Sequence, residues 1–572
     1  MSTFLVVASI DFGTTYSGWA YSFRHEFEKD PTIVYAKTWH GNNFVSQKGP
    51  TCVLIKPDGI TLEAFGYEAE TIYADLAAKN EHKKWYYFRR FKMKLFDKET
   101  LTMSLEIEDE DGNRLKASKV FALSIRYLKE DLIKTTSDKL SGDITENDIH
   151  WVITVPAIWS EPAKKFMRET AREAGIPFGQ LSICLEPEAA SIYCRHLPME
   201  RSSDTSVSTF KPGTKYLVLD AGGGTVDITV HKITQEGKLK ELLQASGGEW
   251  GGTKIDDAFL ELFNKIAGAD IIERLKKENM DDYLELVRNF EVKKRDIIDK
   301  AGITVIRIPI SVMEIAEEMT GKTFKHLLQD SSYKESIHQD RDKLKFDISV
   351  LVTLFSSTIK GIISHVQTLL QSMDQDCQAI LMVGGFSHSK LLQERVKTAF
   401  HKHILIVPPN AGLAVLKGAV AYGHNKRAIV SRIARYTFGL ETYIKFDPKK
   451  HPVERKFLGE DNKPFFRGVF SELVRKGETV EAEKGSEPKC FDPPRSSTHF
   501  ICKLFFSTEN SPEFVDDEGC NIVGEFDVHC VDKFGKLGGA IISLLFGGTE
   551  IEARAVLESS LEEVKATFDL PD

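Results

Sequence analysis

The sequence predicts an α/β domain followed by a smaller, mostly-β domain, and three observations carry that expectation. Strand-like and helix-like runs alternate up to about residue 428, which is the pattern of an α/β architecture. Two strands end on the same plan, an aspartate followed by glycines and hydroxyl residues. After about residue 430 the texture changes to short apolar runs broken by Gly, Pro and Asp, which reads as β structure. The expected division is 1–428, then a β-rich domain at 429–556, then a short tail at 557–572 in which 557–568 reads as one helix.

Taken in order, residues 4–10 form a β-like run that ends at Asp11. Residues 118–140 have amphipathic helical spacing, and 149–155 form a strand stopped by Pro156. Residues 161–174 are helical and end at Gly175, a natural residue just past a helix C-terminus. A strand at 181–185 leads to Glu186-Pro187, and a helix opens over 188–193. Residues 199–214 are rich in Ser, Thr, Pro and Gly and read as an exposed loop. Strands at 216–219 and 226–233 flank a glycine cluster and read as a hairpin. Residues 254–300 are helical and highly charged. A strand at 379–383 enters Gly384-Gly385, followed by helices at 389–400 and 413–422. Further on, 500–506, 524–531 and 540–546 are β-like.

The 572 residues suffice for several domains. Hydrophobic content of 42%, charged content of 28% and a net charge of −9 describe an ordinary, mildly acidic chain. That balance argues against a nucleic-acid or anionic-membrane surface. The eight cysteines contain no Cys-x-x-Cys pair, which argues against a zinc ribbon or redox motif and for reduced thiols. The start, MSTFLVVASIDFG, has no basic region and is interrupted by Asp11, so it reads as a buried strand rather than a signal peptide. No continuous apolar run approaches the ~18 residues that suggest a membrane span, and the cytosol is the expected location.

The chemistry lies in the two aspartate turns, Asp11-Phe12-Gly13-Thr14-Thr15-Tyr16-Ser17 and Asp220-Ala221-Gly222-Gly223-Gly224-Thr225-Val226-Asp227. Glycines let backbone N–H groups approach and point at an anion. Threonine hydroxyls add donors, and an aspartate at a strand end suits hydrated Mg²⁺, which prefers oxygen ligands and keeps several waters. One such turn is a weak signal, because a plain hairpin gives the same letters. Two of the same plan are hard to dismiss. Neither is a P-loop, since no Gly-Lys-Ser/Thr follows. A third turn, Val383-Gly384-Gly385-Phe386-Ser387-His388, lacks the aspartate. Its glycines would let a flat base lie against the backbone.

As a set these segments resemble the actin, sugar-kinase and seventy-kilodalton heat-shock superfamily, and within it the DnaK-type chaperones. Thr154-Val155-Pro156-Ala157, Glu186-Pro187-x-Ala189-Ala190 and Gly251-Gly252 before Ile255-Asp256 fit that family in order. Trp85-Tyr86-Tyr87-Phe88, Phe91-Lys92-Met93-Lys94-Leu95, Trp159-Ser160 and Tyr436-Thr437-Phe438-Gly439-Leu440-Glu441-Thr442 resemble its divergent heat shock protein twelve-A/twelve-B branch. The resemblance implies a two-lobed, actin-like nucleotide-binding domain that takes ATP or ADP with Mg²⁺, and a β-rich domain without a full helical lid.

By resemblance, Asp11 and Asp220 hold the hydrated metal. Gly13, Thr14, Thr15, Tyr16, Gly222, Gly223, Gly224 and Gly251 belong to the nucleotide cradle. Glu186 and Asp227 position the metal shell or the attacking water, and Thr225 lies near the γ-phosphate. Lys92 is the water-orienting lysine, with Lys94 as the rival. Glu291, Lys294 and Arg295 face the ribose and base, and Gly384, Gly385 and His388 the adenosine. The departures fall on the base side. His388 replaces the family's stacking arginine, Ile298 stands where a serine is usual, and Pro409-Asn410-Ala411-Gly412-Leu413 lacks the usual acidic residues. The junction 429–434 lacks the family's leucine run.

Three functions compete. A divergent chaperone-family ATPase would hydrolyse ATP slowly and couple lobe closure to the β-rich domain and a client protein. A nucleotide-dependent binding module with little turnover would recruit a signalling or cytoskeletal partner. A small-molecule kinase would transfer phosphate to a sugar, and the chaperone-type motifs count against it.

Overall fold

The computed structural model describes residues 4–41, 45–96, 101–139, 145–197, 210–373, 376–459, 462–482, 484–492, 498–531, 537–545, 551–558 and 561–568. Most of the expected loop at 199–214 lies outside these residues.

Among the described residues, two sheets repeat one plan. In the first, Leu181–Leu185, Ile149–Val155 and Val6–Phe12 run parallel, and Tyr16–Phe23 closes a hairpin on Val6–Phe12. In the second, Ile404–Ile406, Ala379–Val383 and Lys215–Ala221 run parallel, and Val226–Ile233 closes a hairpin on Lys215–Ala221. The two strands that end in Asp11 and Asp220 therefore occupy equivalent places. Val6–Phe12 is buried at every position, as is Ile149–Val155, as expected for strands covered on both faces.

Helices fill the faces. Ala117–Lys139 and Glu161–Glu173 pack on the first sheet with Phe121, Ile125, Phe166 and Met167 in its core. Thr253–Ala267, Met280–Lys294 and Lys390–Ala399 cover the second. Between the sheets lie Glu186–Cys194 and Ala414–His424, sharing a core with Val7, Val152, Val218 and Leu381. These two helices cross at contact distance, since a Cβ on Gly418 would meet the Ala189 carbonyl oxygen at 1.8 Å.

The segment Ile348–Ser372 is long and apolar enough to cross a membrane by length and composition, with a mean hydropathy of 1.4 over an 18-residue stretch. No continuous apolar run reaches that length, because Ser, Thr and Lys360 interrupt it, and the core helix of a soluble protein meets the same measure. Two consecutive helices, Ile348–Leu354 and Ser356–Ser372, make it up, and Leu351, Phe355, Ile362, Val366 and Leu370 are buried in the core over the second sheet.

The C-terminal region is β-rich. A five-stranded sheet runs Lys456–Leu458, Pro464–Val474, Thr437–Lys445, His499–Ser507, Cys520–His529. A four-stranded sheet runs Lys489–Phe491, Ala540–Leu545, Ile551–Leu557, Glu563–Phe568. Both contribute to one core containing Phe438, Leu504, Val528, Ile542, Ala553 and Phe568.

Two expectations fail here. The tail read as a helix is a strand, with Glu563–Phe568 pairing antiparallel to Ile551–Leu557. In addition, Ile429–Ile433, read as the start of the C-terminal region, is a strand of the second sheet. It runs parallel to Leu239–Gly248, and Thr479–Glu481 pairs on its other side. All eight cysteines are free.

Candidate nucleotide site

The two aspartate turns open onto one cavity of about 1230 Å³, lined by Asp11, Gly13–Tyr16, Glu186, Asp220, Gly222–Thr225, Glu291, Arg295, Gly384, Gly385 and His388. That volume is at or above the ~300–1,000 Å³ usual for ligand pockets.

The first turn is built from its hairpin and the segment that follows. The Thr51 amide donates to the Thr15 carbonyl at 2.8 Å, and the Thr51 hydroxyl to the Gly13 carbonyl at 2.7 Å. Asp11 is buried at the strand end. Its Oδ1 accepts from the Thr154 hydroxyl at 3.0 Å, and its Oδ2 from Lys48 Nζ at 2.5 Å. Sequence reasoning missed Lys48, which belongs to no motif and is placed only by the fold of its segment.

The second turn is laced to the segment after Leu239–Gly248. The amides of Gly251, Gly252 and Thr253 donate to the carbonyls of Gly224, Gly222 and Gly223 at 3.1, 3.2 and 2.8 Å. Gly224 faces the first turn, and a Cβ there would stand 2.3 Å from Met93 Sδ and 2.8 Å from Thr14 Oγ1. Gly384 of the third turn has φ of 86°, and a Cβ there would stand 2.4 Å from Asp220 Oδ1. The close approach of the three turns thus requires both residues to lack a side chain.

Three carboxylates, Asp11, Glu186 and Asp220, line the base of the site, and a fourth, Asp227, lies behind them. Lys92 Nζ lies 2.7 Å from Glu186 Oε1 and over the Trp159 ring, whereas Lys94 is exposed and does not line the cavity. Burial pushes the Glu186 carboxyl up to about 7, against the pull of Lys92 and with the help of Asp11 and Asp227. Burial also raises Asp220 well above the usual carboxylate range, with Glu186, Asp227 and Asp11 adding to it. Asp220 Oδ2 is buried and has no hydrogen-bond partner among the described residues. Buried polar atoms are usually paired, so this atom marks a place that suits a cation or its water shell. No three His, Cys, Asp or Glu side chains close on a point where they would hold a metal directly, among the described residues. The donor set therefore fits Mg²⁺ carried with its waters, the form in which that ion is commonly held.

Three predicted residues do not line the cavity. Asp227 sits behind it, accepting from the Ile158 amide at 2.9 Å and the Thr225 hydroxyl at 3.0 Å. Gly251 serves through its backbone. Lys294 is drawn away, with Nζ 2.5 Å from Asp256 Oδ1 and 3.2 Å from the Gly252 carbonyl oxygen. Of the base-side set, Glu291 accepts from the Tyr16 hydroxyl at 2.5 Å, and Arg295 lies over the Tyr16 ring. Burial works to raise the Glu291 carboxyl, but Lys294, the Tyr16 hydroxyl and Arg295 hold it below its ordinary value. His388 is exposed at the rim. Its Nδ1 is 3.2 Å from the Gly385 carbonyl oxygen and its Cε1 is 3.1 Å from where a Gly412 Cβ would stand. Ile298 does not line the cavity.

Comparison with known proteins shows the family. The family described as Hsp70 protein matches residues 74–430. Heat shock 70 kDa protein 12A of Mus musculus is 34% identical over 99% of this chain and 92% of its own length. The Homo sapiens 12A protein is 33% identical with the same coverage. The chain belongs to the Hsp70 family. Heat shock 70 kDa protein 12B of Homo sapiens is 32% identical over 99% of this chain and 91% of its own length. The paired sheets are accordingly those of an Hsp70-like, actin-like ATP-binding domain. The family match begins after the first aspartate turn, so in this Hsp70-family chain the Asp11 loop rests on its geometry alone.

Proposed function

We propose that this protein binds ATP with Mg²⁺ between two lobes, one built on each sheet, and hydrolyses it slowly. Buried Asp220 Oδ2, without a hydrogen-bond partner among the described residues at the point where three glycine turns converge, carries this reading. When bound, Mg²⁺ supplies charge neutralisation for the phosphates. The chain's own residues do the positioning. Gly222–Thr225 and Gly13–Thr15 present backbone and hydroxyl donors to the phosphates. Lys92, held by Glu186, orients a water, and Asp227 fixes Thr225. Such catalysis works by placement and charge more than by covalent chemistry. Lobe closure then acts on the β-rich domain and on a client or partner protein.

A second reading, a nucleotide-dependent binding module with little turnover, draws support from the base side. Lys294 is committed to Asp256, and His388 offers stacking without a permanent cation. Calorimetry with ATP, ADP and GTP in Mg²⁺, followed by single-turnover phosphate release, tests both. The expected result is adenine-nucleotide binding with slow release of phosphate, both lost in Asp11→Asn and Asp220→Asn. Binding without release selects the second reading, and no binding in Mg²⁺ overturns both.

A further inference from the structure

We propose that Lys48 is a built-in countercation of the phosphate site, which lets this protein hold a nucleotide diphosphate with little dependence on Mg²⁺. The inference rests on the nucleotide reading of the cavity and adds to it a residue that the aspartate and glycine motifs do not contain.

Lys48 is not a surface lysine that happens to fall near an acid. Its neighbours Gly49 and Pro50 pair with Ser17 and Tyr16 of the first hairpin, and its own amide donates to Ser46 Oγ at 3.2 Å. The side-chain stem lies along Gly18, where a Cβ would meet Lys48 Cγ at 3.1 Å. The side chain is 16% exposed and the Asp11 side chain 5%, with Nζ and Oδ2 2.5 Å apart. The stem therefore aims the ammonium from the cavity wall at the carboxylate assigned to the metal shell.

The charges at the base of the site leave work for this cation. Asp11, Glu186, Asp220 and Asp227 face two lysines, and Lys92 is engaged by Glu186. Lys48 also acts on Asp220, opposing the rise in its carboxyl. An ammonium is a compact point charge with three donors. One donor engages Asp11, and the residue lines the cavity, so the others are available to a phosphate oxygen. Lysine serves phosphate in this way elsewhere, as a point charge. When Mg²⁺ is bound, Asp11 would serve its water shell as well as the Lys48 ammonium. Without it, Lys48 still bridges that carboxylate and the phosphates.

Calorimetric titration of the full chain with ADP, in Mg²⁺ and in excess chelator, tests this in the wild type, Lys48→Met and Lys48→Arg. Removing Mg²⁺ is expected to weaken wild-type binding less than about tenfold and Lys48→Met binding by a further ~10–100-fold, the size of one charge-assisted hydrogen bond. In Mg²⁺ the methionine variant should lose only a few-fold, and Lys48→Arg should recover most of the chelator-resistant binding. A purely structural role would lower affinity by one factor in both conditions and leave the Mg²⁺ dependence unchanged, which overturns the proposal. Tighter Mg²⁺-ADP binding by Lys48→Met also overturns it, since Lys48 would then only compete with the metal. Should the methionine variant fail to fold, the arginine variant decides: its Mg²⁺ dependence must stay within about threefold of wild type for the charge to be what matters. A wild type that binds no ADP in Mg²⁺ is a separate outcome, because it removes the nucleotide reading and this proposal with it.

Discussion

Gly384 shows how little room the site leaves. Its φ of 86° is in the left-handed region, and a Cβ would collide with both the Ala221 carbonyl oxygen and Asp220 Oδ1 at 2.4 Å. Gly384→Ala should therefore displace Asp220 and weaken Mg²⁺-nucleotide binding about tenfold or more, the effect of misplacing one charged group, as read by calorimetry. Gly213 is the control. Its φ is 91° with nothing within 4 Å, so Gly213→Ala should cost about 1–2 kcal/mol of stability and leave binding unchanged. At the end of the same turn, His388→Arg puts a permanent cation at the rim of the cavity. Adenine-nucleotide affinity should rise by ~2–30-fold, the range of one cation–π contact, and an unchanged affinity would show that His388 does not meet the base.

Among the elements, the strand Ile429–Ile433 carries a titratable contact. The Ile433 amide donates to Glu241 Oε2 at 2.8 Å. Burial and the neighbouring Glu188 push the Glu241 carboxyl up to about 7, with Arg432 and Arg435 opposing. The folded state thus favours the protonated acid. Glu241's contribution is complete below the ordinary glutamate range and is lost as pH rises through about 7. Glu241→Gln keeps the acceptor and removes the charge. Its stability relative to wild type should be equal near pH 4.5 and rise by as much as about 3 kcal/mol by pH 8, measured by denaturant titration at each pH. A pH-independent difference would count against the buried ionisation.

How far the elements could be read depended on how local their causes are. The turns at Asp11 and Asp220 were legible because strand, aspartate and glycines sit within a few letters of one another. The tail was not. Its Glu- and Leu-rich letters favour helix, yet Val564, Ala566 and Phe568 turn toward a core that includes Phe526, so non-local packing overrides propensity. Lys48 was illegible for the same reason, since its meaning depends on a hairpin more than thirty residues upstream. Lys294 was legible in type but not in direction, because Asp256 claims it from a different helix.

Across the whole molecule, the site and the chain that leads into the C-terminal region are tied by buried charge. Arg432 Nη2 lies 2.7 Å from Glu188 Oε2, on the helix whose first residue is Glu186. Arg435 donates to the carbonyls of Ala157 and Trp159, and the amide of Ile158 between them donates to Asp227. Removing one partner from a buried pair leaves the other charged and unpaired. Arg432→Met should thus cost about 3–5 kcal/mol, while Arg432→Met with Glu188→Leu should recover most of it, as measured by chemical denaturation. Equal losses in the single and double variants would show that the pair does not act as a unit.

The strand Ile429–Ile433 also bears on how this chain can change over evolution. It is hydrogen-bonded on one side to the ATP-binding sheet and on the other to Thr479–Glu481 from the C-terminal region. Severing the chain at residue 428 would strip Leu239–Gly248 of its neighbour and expose a row of unpaired amides and carbonyls, a template for aggregation. The C-terminal region is therefore not a cassette that recombination can exchange at a flexible seam. A replacement must bring its own matching strand, so the C-terminal region of this chain diverges more readily by substitution within its sheets than by wholesale swapping.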